Sequence, residues 1–283
     1  MALHLVLAIL LAGAQPETSQ APPAVDEVEV SPAGVDPYPA FVRRATPLTP
    51  AGKVMMWSSA LCPYVIGGRT EENRYLHDRI SQRAREAGVR MAAKGCRPNL
   101  TVVLADEPEA LVRRARAAGK FWVDRERPLS FERYATTDRP VRVWTNFAEV
   151  EVLRGAVTAE GLGNDLLMYT TSSAGSRVRT SVVGVIQDQF VVVDRRRMGG
   201  RKLAGLADYV TLAGVASARA DRDYEGFNTV LNLFTEDGRG EASPMDRAYL
   251  RGLQSVKPDA PGGSQIGQVV TAMRAERDGP ARR

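Results

Sequence analysis

The chain has 283 residues, of which 44% are hydrophobic and 25% are charged. These proportions are typical of a folded globular protein, and they exclude a chain that is disordered throughout. The length suffices for one large domain or two small ones. The formal net charge is +5, but the arginines are scattered and are not interleaved with aromatic residues. We therefore expect no nucleic acid among its partners.

The N-terminus predicts export. An apolar run ends in Ala12-Gly13-Ala14, which matches the small residues of a signal-peptidase site. The run is shorter than the ~20 residues that a helix needs to cross a bilayer, so we expect no transmembrane segment in the mature chain. Prolines then recur through residues 15–52, which predicts an extended tether. The predicted location is periplasmic or secreted.

The resulting domain organisation has four parts. We predict a signal peptide at 1–14, a Pro-rich tether at 15–52, a single α/β domain at 53–277 and a flexible tail at 278–283. Within the domain, Cys62 and Cys96 are the only cysteines. A lone pair in an exported protein predicts a disulfide bond. A catalytic thiol would need a histidine base, and the only histidine of the mature chain, His77, lies on a predicted helix where we expect a structural role.

Strands and helices alternate along the domain. Apolar periodicity predicts a strand at 54–57, a helix at 71–87 capped by Thr70, a strand at 99–104, a helix at 106–119 and a strand at 141–145. Residues 161–176 are a predicted loop. Apolar runs at 181–186 and 190–193 indicate either a hairpin or one long bulged strand.

Three helices are predicted in the last third of the chain. They cover residues 203–216, a segment from Ser243 to Leu253 with Ser243 as N-cap, and a segment around 266–273. Together with the preceding elements, they predict one α/β (α+β) domain in which a mixed sheet packs against helices.

Four blocks of sequence carry a family resemblance. They are residues 96–106, residues 191–194 with 206–210, residues 228–234 and residues 246–250. In this order they resemble DUF2927-like proteins, an uncharacterised exported bacterial family whose layout is similar to that of zincin metallopeptidases. The resemblance implies a single zincin-like domain. Where the site of such a protein is intact, a His-Glu-x-x-His helix binds zinc and the glutamate acts as general base.

The matching helix of this chain lacks that motif. It reads Ala207-Asp208-Tyr209-Val210-Thr211, and no histidine follows His77 anywhere in the sequence. The resemblance therefore implies a degenerate zincin-like protein with no catalytic residues, no metal and no cofactor. It leaves open whether a groove beside the sheet edge still binds peptides by strand addition, as a zincin cleft does. The candidate groove residues are Asp208, Tyr209, Asn228 and Asn232.

Three functions stay open on this evidence. The first is a non-catalytic, pseudo-zincin binding module whose partner is unknown, with an envelope protein or a peptide segment as candidates. The second is a hydrolase with an atypical carboxylate site, for which the acids would be Asp194, Asp208 and Glu225. The third is a polyanion-binding surface, which requires one face to carry Arg113, Arg114, Arg195, Arg196 and Arg197.

Overall fold

The computed structural model of the protein describes residues 36–119, 128–153, 156–157, 181–236, 238 and 240–279. The predicted signal peptide, the tether before residue 36, the 161–176 loop and the last four residues lie outside these ranges. The helices of the described ranges are α1 (Tyr38–Ala45), α2 (Thr70–Glu86), α3 (Pro108–Ala117), α4 (Pro128–Thr136), α5 (Leu203–Val210), α6 (Pro244–Gln254) and α7 (Gly262–Asp278). The strands are β1 (Met55–Trp57), β2 (Pro63–Ile66), β3 (Leu100–Ala105), β4 (Val141–Leu153), β5 (Ala156–Val157) and β6 (Val182–Asp194).

The strands form one mixed sheet with the order β2-β3-β6-β4-β5, and β1 also pairs with β6. The pairs β1–β6, β2–β3 and β3–β6 are parallel, whereas β4 runs antiparallel to β6 and β5. Since β4 occupies one edge of β6, β1 and β3 share the other edge. Met55–Trp57 pair with Gly184–Ile186, and Leu100–Ala105 pair with Gln189–Asp194. The predicted α/β class with a mixed sheet is confirmed.

The two apolar runs at 181–186 and 190–193 belong to the single strand β6, so the hairpin alternative is wrong. The irregularity lies in its pairing with β4, where the register shifts between Asn146 and Phe147. A bulge of this kind leaves polar residues in the middle of a central strand with partners across the sheet. The polar residues 187–189 separate the two apolar runs in the sequence, although they belong to the same strand.

Helices cover both faces of the sheet, because alternate residues of a strand point to opposite sides. On β6, Val191 and Val193 belong to the main core with the buried residues of α2, α5, α6 and α7. Val192 belongs to a smaller core with Val112 of α3 and Phe131 of α4. The domain is therefore a layered helix–sheet–helix structure.

The tether prediction is wrong for residues 38–45, which form α1. Pro37 is the N-cap of this helix and Pro39 lies in its first turn, where a helix tolerates proline because the first N–H groups have no intrahelical partner. Phe41 is fully buried, and its ring centre lies 5.4 Å from that of Tyr249. The packed domain therefore starts well before the predicted boundary.

The predicted disulfide between Cys62 and Cys96 is confirmed. It ties the residue that precedes β2 to the segment that leads into β3. Within the described ranges, none of the helices combines the length and the apolar character that crossing a membrane requires.

The predicted helix at 203–216 is not uniform. The α-helix α5 ends at Val210, and residues 211–215 continue it as a π-helical turn. A Cβ atom at Gly214 would lie only 3.1 Å from the Leu100 side chain, so glycine lets this turn pack closely on the sheet. Such a turn rotates the following residues relative to the α-helix.

Candidate functional site

Asp208, the acid at the centre of the predicted groove, is buried in an ion-pair network between α2 and α5. Its carboxylate accepts hydrogen bonds from Arg79 Nε and Nη2, both at 2.9 Å, and from Arg83 Nε at 3.0 Å. The backbone N–H of Ala242 donates a further bond of 2.9 Å. Burial alone would raise the pKa of Asp208, but the two arginines and the amide outweigh it and hold the pKa below its ordinary value. Both carboxylate oxygens are therefore occupied.

Tyr209 is buried beside Asp208 in sequence but not in space, because neighbouring helical residues point about 100° apart. Its ring packs edge-to-face against Phe234 with 5.2 Å between the ring centres. Burial raises the pKa of Tyr209 above its ordinary range. Tyr209 is thus a packing residue of the main core.

The two candidate asparagines also lie apart from Asp208. Asn232 is half-buried, and its Nδ2 donates to the carbonyl groups of Tyr224 and Phe227 at 2.8 and 3.0 Å. Asn228 is exposed, and its own carbonyl accepts a hydrogen bond from Ser243 Oγ at 2.6 Å. The structure does not bring the four candidate residues together in one groove. Asp208 and Tyr209 are buried in the interior, and Asn232 hydrogen-bonds to carbonyl groups of its own loop.

A buried acid that we did not select lies under the same loop. Asp246 accepts hydrogen bonds from Thr229 Oγ1 at 2.5 Å and from the N–H groups of Val230 and Ser243 at 2.8 Å. Burial raises the pKa of Asp246 despite these donors. The predicted N-cap role of Ser243 is confirmed, since its hydroxyl accepts from the N–H of Asp246. Asp246 therefore joins the cap of α6 to the preceding loop.

An open cleft lies elsewhere, at one edge of the sheet. The carboxyl ends of β3 and β6 and the amino end of β4 meet there, since Ala105 pairs with Asp194 and Val141 pairs with Val193. In open α/β sheets ligands bind in the crevice outside the carboxyl ends of the strands. We call it the strand-end cleft. Its volume is about 550 Å³, and its lining residues are Glu107, Pro108, Glu109, Ala110, Arg113, Thr136, Thr137, Asp138, Arg142, Asp194, Arg196 and Arg197.

Arg142 is the buried member of this lining, with 6% of its surface exposed. Its Nη1 donates to the carbonyl of Ala135 at 2.7 Å and its Nη2 to that of Thr137 at 2.9 Å. Its Nε is buried without a hydrogen-bond partner. Among the residues that the structure describes, no Asp or Glu forms an ion pair with this guanidinium. Burial lowers the pKa of Arg142 below its ordinary value.

Two other acids of the cleft, Asp194 and Glu109, pair with arginines of its lining. Asp194 has one oxygen 3.4 Å from Arg196 Nε and the other 3.8 Å from Arg197 Nε. Arg113 Nε lies 2.9 Å from a carboxylate oxygen of Glu109. These pairs are largely exposed on the arginine side, so each contributes little to stability. Arg142 differs from them because its charge is buried.

The five arginines of the polyanion hypothesis are divided by the structure. Arg113, Arg196 and Arg197 line the strand-end cleft, while Arg114 is exposed outside it. Arg195 turns away, and its guanidinium donates to the carbonyl of Gly67 at 3.2 Å. Three of the five therefore share one surface.

The acids of the hydrolase hypothesis occupy three different environments. Asp208 lies between α2 and α5, Asp194 at the strand-end cleft, and Glu225 on the exposed surface. Over the ranges given above, no three His, Cys, Asp or Glu side chains are grouped so that they could hold a metal ion.

Sequence reasoning missed Arg142, although a signal exists. It lies between Val141 and Val143 on β4, and the aromatic Trp144 follows on the same face. A charged residue in an apolar strand that is covered on both faces is removed from water, and its burial costs free energy unless the charge finds a partner. The apolar alternation predicted only a strand over residues 141–145, and it did not single out this arginine.

Comparisons of the chain with protein-family models, with curated proteins and with solved structures find no match. The resemblance to DUF2927-like, zincin-type proteins therefore stays a prediction.

Proposed function

We propose that this protein is an exported, non-catalytic binding module of the pseudo-zincin kind, and that its partner docks in the strand-end cleft. The observation that carries the proposal is the cleft itself. Three chain segments, those after β3 and β6 and the one before β4, converge on it and bring polar groups together around a buried guanidinium. Concave sites with a few convergent polar groups are where proteins bind their ligands.

The state of Asp208 supports a non-catalytic role for α5. In the resemblance, this helix is the one that would carry the zinc ligands. Here Arg79 and Arg83 occupy both oxygens of Asp208, so this carboxylate acts as a link between helices. A general base needs a lone pair directed at substrate, and this acid has none to offer while the network is intact.

The Cys62–Cys96 disulfide supports the exported location, because disulfides persist in oxidising compartments. Together with the predicted signal peptide, it favours a periplasmic or secreted protein. An envelope protein or a peptide segment is then the partner class that the protein would meet.

A second candidate function, binding of a polyanion, is favoured by Arg113, Arg196 and Arg197 at the rim of the same cleft. The two functions differ in their response to salt. Binding of a polyanion weakens steeply as salt rises because counterions are released, whereas docking of a protein segment depends mainly on buried contacts.

The proposed function is tested by capture from the native envelope fraction with three forms of the mature protein. Ala110→Trp places an indole in the cleft, and Ala117→Trp places the same group at the exposed end of α3, outside the cleft. We expect the wild-type protein and Ala117→Trp to retain the same partner and Ala110→Trp to lose it. Circular dichroism of all three forms verifies that the fold is unchanged.

Equal capture by all three forms would show that the partner binds elsewhere. Stoichiometric zinc in the purified protein, together with hydrolytic activity that chelators abolish, would refute the non-catalytic proposal. Salt titration of the captured complex separates the polyanion alternative from the first candidate.

A further inference from the structure

We propose that the strand-end cleft recognises one anionic oxygen group, a carboxylate or a phosphoryl group, and that Arg142 at its base supplies the complementary charge. This inference rests on the proposed function, because it assigns the chemistry of the ligand that the same cleft would bind. The group would be carried by a larger partner or by a free small molecule, and both share this recognition chemistry.

The first argument is the uncompensated charge of Arg142. A guanidinium removed from water needs either an anion or hydrogen-bond acceptors for its N–H groups. Two backbone carbonyls, those of Ala135 and Thr137, accept from its Nη atoms, and its Nε has no acceptor. Carbonyl groups satisfy donors but do not neutralise a full charge. An anion in the cleft would do so.

The second argument is that two acids of the cleft lining, Asp194 and Glu109, are paired with arginines other than Arg142. The Asp194 side chain is only 6% exposed and lies between Arg196 and Arg197. Glu109 pairs with Arg113 one helical turn along α3. Glu107 and Asp138 complete the acidic lining, and within the described ranges neither forms an ion pair with Arg142. A ligand anion therefore meets a buried positive charge that no acid of the described lining pairs with.

The third argument comes from the direction of α3. Its first turn contributes Glu109 and Ala110 to the cleft lining. Pro108, the first residue of α3, has no N–H, so the first donors of this turn are the backbone N–H groups of Glu109 and Ala110, at the positive end of the helix dipole. Combined with a buried arginine, they form the kind of environment in which proteins bind phosphate and carboxylate groups.

The volume of the cleft indicates how the group is presented. At about 550 Å³ it is much larger than a bare phosphate or acetate ion, whereas drug-sized ligands occupy pockets of roughly 300–1,000 Å³. We therefore infer that the anionic group is one end of a larger ligand, whose remainder lies along the rim near Thr136 and Thr137.

The inference is tested by titrating the full mature protein with inorganic phosphate and, separately, with acetate in a low-chloride buffer. The readout is the side-chain Nε–H resonance of Arg142 in ¹⁵N–¹H spectra, assigned by its loss in Arg142→Lys. We expect a saturable shift with one or both anions. Arg113→Ala, at the rim, should weaken binding about tenfold, because it leaves the Glu109 carboxylate beside the anion without its ion-pair partner. Arg114→Ala, one residue along the same helix and outside the cleft, should leave it unchanged.

Several results would overturn the inference. One is a resonance that does not move with either anion up to tens of millimolar. Another is equal weakening by Arg113→Ala and Arg114→Ala, which would indicate a diffuse charge effect. A third is binding of heparin alone, with no response to phosphate or acetate, which would assign the surface to polyanions. If Arg142→Lys does not fold, the Arg113→Ala and Arg114→Ala variants and the wild-type titration decide the question.

Failure of this inference is distinguishable from failure of the proposed function. If Ala110→Trp abolishes capture but no anion shifts Arg142, the cleft is the docking site and the ligand chemistry is different. If phosphate or acetate binds over Arg142 but capture is unaffected by Ala110→Trp, the anion site stands and the docking role falls.

Discussion

Arg83 and Asp208 join α2 to α5 across 125 residues of sequence, with Nε 3.0 Å from Oδ1. Arg79 binds the same carboxylate from one helical turn away and also reaches the exposed Glu241. The side chain of Asp208 has no exposed surface, while the two arginines are mostly buried. A single acid therefore links the two helices by ion pairs, in addition to the apolar core that they share.

Replacing that acid tests its contribution. We expect Asp208→Asn to lower the free energy of unfolding by about 3 kcal/mol, because two partly buried guanidinium groups lose their counter-charge. The matched control is Glu241→Gln, whose side chain is 57% exposed and whose loss should change stability by less than about 1 kcal/mol. Urea unfolding of the three proteins gives both values, and equal effects would contradict the assigned role.

The same carboxylate predicts how stability depends on pH. Because its folded-state pKa lies below the ordinary value of 3.8, the folded protein binds fewer protons than the unfolded chain between the two values. The stabilisation is thus complete above the unfolded pKa and is lost as pH falls through the folded pKa. We expect the wild-type stability to fall more steeply than that of Asp208→Asn below about pH 4. Parallel curves in urea titrations across this range would count against the network.

Two helical glycines should respond in opposite ways to alanine. A Cβ at Gly205 in α5 would collide with the carbonyl of Gly240, whereas a Cβ at Gly267 in α7 would meet nothing within 4 Å. Alanine favours helix over glycine by up to about 1 kcal/mol. Gly267→Ala should therefore raise the melting temperature and Gly205→Ala should lower it. If both substitutions raised the melting temperature, α5 and the backbone at Gly240 would not be in close contact.

The core position of α1 is tested at Phe41. Its ring is fully buried against Tyr224, Phe227 and Tyr249, so Phe41→Ala should lower the free energy of unfolding by roughly 3–5 kcal/mol. Arg43→Ala, on the exposed side of the same helix, should change it by less than about 0.5 kcal/mol. A Phe41→Ala protein as stable as wild type would restore the idea that this segment is a tether.

The disulfide should stabilise the domain by closing a chain segment between residues 34 apart in sequence. We expect the double variant Cys62→Ser/Cys96→Ser to lose roughly 3–4 kcal/mol in the loop-entropy treatment. Reduced wild-type protein should match the double variant in urea unfolding. A wild-type protein that is insensitive to reductant would mean that the bond does not form or does not constrain the unfolded chain.

Periodicity predicted the regular parts of the fold because each relied on local signals. The run at 99–104 gave β3, and the Ser243-Pro244 pair marked the start of α6. Periodicity failed for elements whose environment is formed by distant parts of the chain. The many prolines around α1 favoured a tether over a helix. The sequence alone does not show that Phe41 packs against aromatic residues that lie beyond position 220 in the chain. The long strand β6 was ambiguous because its polar centre is satisfied by strands remote in the chain.

The candidate site was less predictable from the sequence than the fold was. Asp208 stood out by its place in the resemblance, yet its partners Arg79 and Arg83 come from a helix more than a hundred residues earlier. Arg142 is functional in our proposal only because three segments converge above it, and no local pattern encodes that convergence. Residues whose role depends on partners far away in the chain are hard to recognise from a single sequence.

The shared edge of β6 also constrains how the protein must fold. β1, β3 and β4 all hydrogen-bond to this strand, yet it is synthesised after all of them. Until the chain has been synthesised up to residue 194, the described sheet lacks its central strand β6. The earlier strands can then pair only as β2 with β3 and β4 with β5. Assembly dominated by such distant pairings is slow. The central sheet of the domain therefore forms only after its last strand, β6, is complete.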